Sequence, residues 1–179
     1  ANNNIVWLRP RVDPNGKVFE KGGKIFRAMK KSPDYYERLL AIIHSNKVLR
    51  ETIIETRLCD ETLPKYNSIL EHKKINLFTS PGDWSYSMFK DALIAHLHVH
   101  IELLSNGYTL QDGHLWNVTF DGSSPKFIDF GSIIEYRNNI IESKKEYLHF
   151  CITPLLLMTL GYFDKARVYL RVSTNLYLA

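Results

Sequence analysis

The hydrophobic pattern changes period along the chain. Over the first thirty residues, short apolar runs alternate with turn residues. Asp13-Pro14-Asn15-Gly16 reads as a turn and Lys17 to Glu20 as a strand. Lys21-Gly22-Gly23 reads as a hairpin turn with two residues free to take positive φ, and Lys24 to Met29 as a second strand. Ser32-Pro33-Asp34 then marks a helix start, a capping hydroxyl followed by proline at the first helical position, and Tyr36, Leu39, Leu40 and Ile43 recur at helical spacing. After Ser45-Asn46 the helical period resumes through Val48, Leu49, Ile53 and Ile54 and fades by Cys59. From Leu63 to Phe78 the pattern predicts one or two strands and a connector.

Ser80-Pro81-Gly82-Asp83 opens the longest predicted helix, from about Trp84 to Leu104, which Asn106-Gly107 closes. Asn117 to Phe120 and Lys126 to Asp129 predict a hairpin around Asp121-Gly122-Ser123-Ser124-Pro125. A polar stretch after Gly131 leads into a helix from Ser143 to Leu160, and Tyr162 to Tyr177 adds another. A small antiparallel sheet near the amino terminus followed by mostly helical sequence is an α+β arrangement, divided into residues 1–78 and 79–179.

Composition narrows the classes. With 179 residues, 45% hydrophobic and 23% charged, the chain suits a globular fold, which excludes disordered, collagen-like and disulfide-built chains. The 23 Lys and Arg against 19 Asp and Glu give a net charge of +4, dispersed with no basic run. That argues against a nucleic-acid partner and is compatible with anionic ligands. Cys59 and Cys151 have no metal-module spacing and read as reduced thiols, small buried hydrophobes of a cytoplasmic protein. Phe150 to Leu160 is about half the length needed to cross a bilayer, so no membrane span is expected. The opening Ala-Asn-Asn-Asn lacks the basic and apolar regions of a signal peptide. His96 and His100 share a helix face, but no metalloprotease glutamate lies nearby; packed or surface histidines are expected rather than zinc ligands.

The chemistry concentrates in Leu110-Gln111-Asp112-Gly113-His114-Leu115-Trp116-Asn117 and Phe127-Ile128-Asp129-Phe130-Gly131-Ser132. Phosphoryl transfer from ATP needs one carboxylate to take or orient the proton of an attacking hydroxyl, and an amide with a second carboxylate to hold magnesium against the phosphates. Asp112, Asn117 and Asp129 match those roles, and a hairpin between Asn117 and Asp129 brings its ends side by side. The other reading of the same residues is a polar turn whose aspartates cap local backbone amides.

At these residues the sequence resembles the protein-kinase-like superfamily, specifically the aminoglycoside phosphotransferase branch, through D-x-H-x-x-N at Asp112 to Asn117 and D-F-G at Asp129 to Gly131. The resemblance implies that Asp112 is the base, that His114 organises the loop, and that Asn117 and Asp129 are the metal pair. Trp116 departs from the small residue or proline often found there and reads as packing.

For the amino-terminal part the resemblance implies Gly22 and Gly23 over the phosphates, Arg27 in place of the family lysine with Glu37 as its partner, and Leu70-Glu71-His72 at an adenine-contacting hinge. There is no G-x-G-x-x-G, and the fork of an arginine is not equivalent to an ammonium group; an ordinary surface ion pair is the other reading of Arg27 and Glu37. Over most of residues 5–150 the chain is also similar to the kinase-like segment ahead of the methyltransferase domain in bacterial S-adenosylmethionine-dependent methyltransferase proteins, some nodulation-protein-like. Their glycine-rich Rossmann half is absent, so the resemblance implies a truncated amino-terminal domain.

Two functions follow. One is an ATP- and magnesium-dependent phosphotransferase acting on an unidentified small-molecule or protein hydroxyl acceptor. The other is a non-catalytic docking or regulatory module of a methyltransferase protein.

Overall fold

The computed structural model describes residues 5–8, 15–137, 141 and 143–178, with side chains of the last helix described as far as Val172. The expected turn at Asp13-Pro14 lies outside the described residues. The architecture is α+β, and the chain divides into two compact units, Ala1–Asn76 and Leu77–Ala179.

The first unit is built on a five-stranded antiparallel sheet of order β1-β2-β3-β5-β4, from β1 (Val6–Leu8), β2 (Gly16–Lys21), β3 (Lys24–Met29), β4 (Thr56–Cys59) and β5 (Ser68–His72). The β2–β3 turn forms because Gly22 and Gly23 sit at φ +59° and +79°, where a side chain is strained. Phe19, Phe26, Ala28 and Ile69 fill one face of the sheet, with Phe19 and Phe26 stacked at 5.2 Å.

α1 (Pro33–Ser45) buries Tyr36, Leu39, Leu40 and Ile43, as their spacing predicts, and packs against β4. Proline starts this helix, but the Ser32 hydroxyl makes no capping bond. α2 (Lys47–Thr52) is shorter than the sequence suggests. Its start is capped by Asn46 Oδ1, which accepts from the Leu49 N–H at 3.1 Å, and it ends at Ile53, whose backbone is extended; Ile53 and Ile54 are both buried. Thr56–Cys59 is a strand and not the fading end of a helix; its ladder to β5 supplies partners that a helical turn there would forgo.

The second unit is centred on α3 (Tyr86–Ser105). Trp84, expected inside this helix, precedes it: the indole is buried and donates to Thr79 Oγ1 at 2.9 Å, while Ser85 caps the helix by accepting from the Met88 N–H at 3.3 Å. Gly107 at φ +80° ends it. Three short pieces follow: β6 (Tyr108–Leu110), a 3₁₀ turn at Leu115–Asn117, and the hairpin of β7 (Val118–Asp121) and β8 (Ser124–Phe127).

A further 3₁₀ turn, Phe130–Ser132, leads to β9 (Ile133–Glu135), which pairs with β6 and which the sequence did not reveal. α4 (Lys144–Glu146) runs into a π-helical turn, Tyr147–Ile152, then α5 (Thr153–Thr159) and α6 (Phe163–Leu178). No helix among the described residues is long and apolar enough to cross a membrane.

Candidate active site

Three backbone devices of the second unit gather the motif residues. The β7–β8 ladder continues past its ends through the Ile128 N–H, which donates to the Asn117 carbonyl at 2.9 Å, so Asn117 and the segment entering Asp129 lie side by side. Asp129 Oδ1 accepts from the Gly131 N–H at 3.1 Å and starts the Phe130–Ser132 turn. That turn returns to the loop before Asn117: the Gln111 N–H donates to the Ser132 carbonyl at 2.8 Å, and the Asp112 N–H to Ser132 Oγ at 3.0 Å.

Asp112, His114 and Glu146 converge, with one ligand-capable atom of each within 4.8 Å of the others. Burial raises the Asp112 carboxyl above the usual range. His114 opposes that rise, the Asp129 and Glu146 carboxylates add to it, and a hydrogen bond with Ser132 opposes it. Because Ser132 Oγ accepts from the Asp112 N–H, its own proton is available to that carboxylate. Half-burial and two neighbouring carboxylates thus hold Asp112 above a surface aspartate.

His114 is buried, its ring edge-on to Trp116 at 5.2 Å, and Trp116 packs in turn on Phe150 at 5.4 Å. The tryptophan is thus a packing residue, wedged between the loop and the π-helical turn. Asn117 is 7% exposed, and its side-chain nitrogen has no hydrogen-bond partner among the described residues. The amide oxygen of Asn117 is the kind of donor magnesium prefers, and the hairpin sets this residue beside the segment entering Asp129.

Behind the loop, His96 and His100 are packed residues. Their Nδ1 atoms lie 2.7 and 3.1 Å from the Tyr147 hydroxyl, and His100 Nε2 lies 2.8 Å from Thr109 Oγ1. The Tyr147 hydroxyl has one proton to give, so in this arrangement one of the two histidines donates to it.

In the first unit the expected nucleotide residues are not gathered. Arg27 is buried in β3 opposite Leu70, on the face that also carries His72. His72 bonds Thr56 Oγ1 at 2.8 Å and is lowered to about 3, by burial first and then by the Arg27 charge. Glu37 lies on the exposed side of α1, and no ion pair joins it to Arg27 among the described residues.

Glu71 faces the opposite side of the sheet from Arg27, by strand alternation. There it pairs with Lys24 at 3.1 Å and Arg57 at 2.5 Å, which hold its carboxyl low against the effect of burial. Gly22 and Gly23 are exposed. A cleft of about 710 Å³ beside this turn is lined by Lys21, Lys24 and Arg57, each already paired to Glu61 or Glu71, so it offers no net positive charge.

Sequence reasoning missed Ser132 and Glu146. Ser132 directly follows the D-F-G residues, but its role depends on a fold-back across 20 residues; Glu146 meets the loop across 33 residues, with no local signal.

No family model matches the chain. It is 30% identical over 176 residues to nodulation protein NoeA of Rhizobium meliloti (strain 1021), an alignment covering 88% of this chain and 36% of the relative, so the chain spans about a third of that protein's length. Among solved structures it is similar to a kinase domain, with a TM-score of 0.47 and 14% identity over 78% of this chain and 54% of that one. It is also similar to vaccinia related kinase 3, with a TM-score of 0.47 and 10% identity over 75% and 52%.

Proposed function

We propose that the chain is a kinase-like domain whose second unit carries an ATP- and magnesium-dependent phosphotransferase site. The carrying observation is that Ser132 ties the Asp112 backbone to the turn Asp129 starts, while the Ile128-to-Asn117 bond draws the other two motif residues together. In this reading Asp112 orients the acceptor hydroxyl and takes its proton, and its raised carboxyl suits that exchange. Asn117 and Asp129 would hold magnesium, which when bound neutralises charge on the phosphates. His114 braces the loop through its contact with Trp116.

Most of the rate enhancement in such a site comes from positioning and charge stabilisation, so removing the base leaves binding intact. Asp112→Asn is expected to bind magnesium-ATP within about twofold of wild type and to lose γ-phosphate transfer to water, the hydroxyl acceptor present in the assay, by roughly a hundredfold or more. Radiolabelled ATP turnover measures this, and equal turnover by the two proteins contradicts the assignment.

A second reading, a non-catalytic docking or regulatory module of a methyltransferase protein, is favoured by one observation. The first unit's expected nucleotide residues are dispersed, with Arg27 and Glu71 on opposite faces of the sheet and Glu37 paired with neither. Turnover by wild type and its loss in Asp112→Asn would exclude it.

A further inference from the structure

Gly113 lies between the proposed base and the loop histidine, and one segment holds it on three sides. Its N–H donates to Glu146 Oε2 at 2.7 Å, and its carbonyl accepts from the Cys151 thiol at 3.3 Å. Its α-carbon packs so closely that an added Cβ would meet the Ser143 carbonyl oxygen at 2.3 Å and Tyr147 Cδ2 at 2.9 Å. All four partners lie within residues 143–151, where α4 passes into the π-helical turn. Such turns recur at functional sites because the widened ring re-aims side chains. Here Tyr147 reaches back to His96 and His100, while Cys151, four residues on, faces the loop.

Of these contacts only the one from Glu146 is charge-assisted, the stronger class of hydrogen bond. The Asp112 peptide is then fixed at both ends: its own N–H is held by Ser132, and the next N–H by Glu146. From this geometry we infer that Glu146 is a positioning residue, acting through the Gly113 N–H to set the direction of the Asp112 side chain. The catalytic consequence rests on the phosphotransferase reading; the positioning itself does not.

The test compares wild type, Glu146→Gln and Glu146→Ala, after thermal melts establish that each is folded. The glutamine keeps an acceptor oxygen of the same reach and the alanine does not. By NMR hydrogen exchange, protection of the Gly113 amide is expected to fall roughly tenfold in Glu146→Ala and to be largely kept in Glu146→Gln. In ATP turnover, kcat is expected to fall on the order of a hundredfold in Glu146→Ala with KM for magnesium-ATP within about twofold, and to recover in part in Glu146→Gln, which keeps the bond to Gly113 but not the charge beside Asp112.

Unchanged Gly113 protection in Glu146→Ala overturns the inference, whatever the turnover. So does wild-type kcat in a Glu146→Ala protein whose Gly113 has lost protection. If wild type itself turns over no ATP while protection follows the expected order, Glu146 positions the loop and the phosphotransferase reading is what fails.

Discussion

Asp112 is placed by its neighbours' backbone more than by its own side chain, and Gly113 is where that placement is most exposed to test. Gly113→Ala adds a methyl group with nowhere to go, because the Ser143 carbonyl is backbone and cannot swing aside. Overpacking of this kind costs about 1–3 kcal/mol, so a clear drop in the thermal midpoint is expected, whereas an unchanged midpoint would show that the loop is not clamped. That the segments of Asp112, Asn117 and Asp129 come together was legible because their spacing is short and a hairpin joins the last two. Gly113 read only as a spacer, since its value lies in a contact 30 residues away with Ser143. Arg27 and Glu37 show the converse: one strand and one helix position looked complementary in sequence, yet the glutamate lies on the exposed side of α1 and the arginine is buried.

At the scale of elements, the β7–β8 hairpin draws Asn117 and the segment entering Asp129 together, and its two-residue turn depends on Gly122 at φ +62°. The Asp-Gly pair at that turn signalled the hairpin in sequence, as did the glycine pair between β2 and β3. The long helix was legible for a similar reason, an apolar period bounded by stop residues, although its first turn was misplaced because Trp84 is apolar yet precedes the cap. β4 and β9 were not legible. Both are short, and each exists because a distant partner strand supplies its hydrogen bonds. The π-helical turn likewise leaves no mark on the sequence period, and the contacts Tyr147 and Cys151 make from it are to residues far along the chain.

Across the whole molecule, each unit carries a buried neutral histidine, His72 in the first and His96 in the second, both lowered to about 3 by burial first. The sign follows from linkage. Between the unfolded value near 6.5 and about 3, the unfolded chain takes up protons that the folded one refuses, so stability present at neutral pH is lost as pH falls. From pH 7 to pH 5 each histidine is expected to remove about 2 kcal/mol. Urea unfolding at the two pH values measures this, and identical midpoints would contradict neutral burial. On α3, Ile94, Leu97 and Ile101 are exposed at spacings of three and four, an apolar stripe of the kind that favours association. The central claim is nonetheless local: the second unit holds a magnesium-nucleotide site built on Asn117 and Asp129. Calorimetric titration of ATP into wild type and Asp129→Ala, each with and without magnesium, tests it most directly. The account predicts binding that requires magnesium in wild type and is lost or much weakened in the variant; equal binding by both proteins, or none by wild type at millimolar ATP, would contradict it.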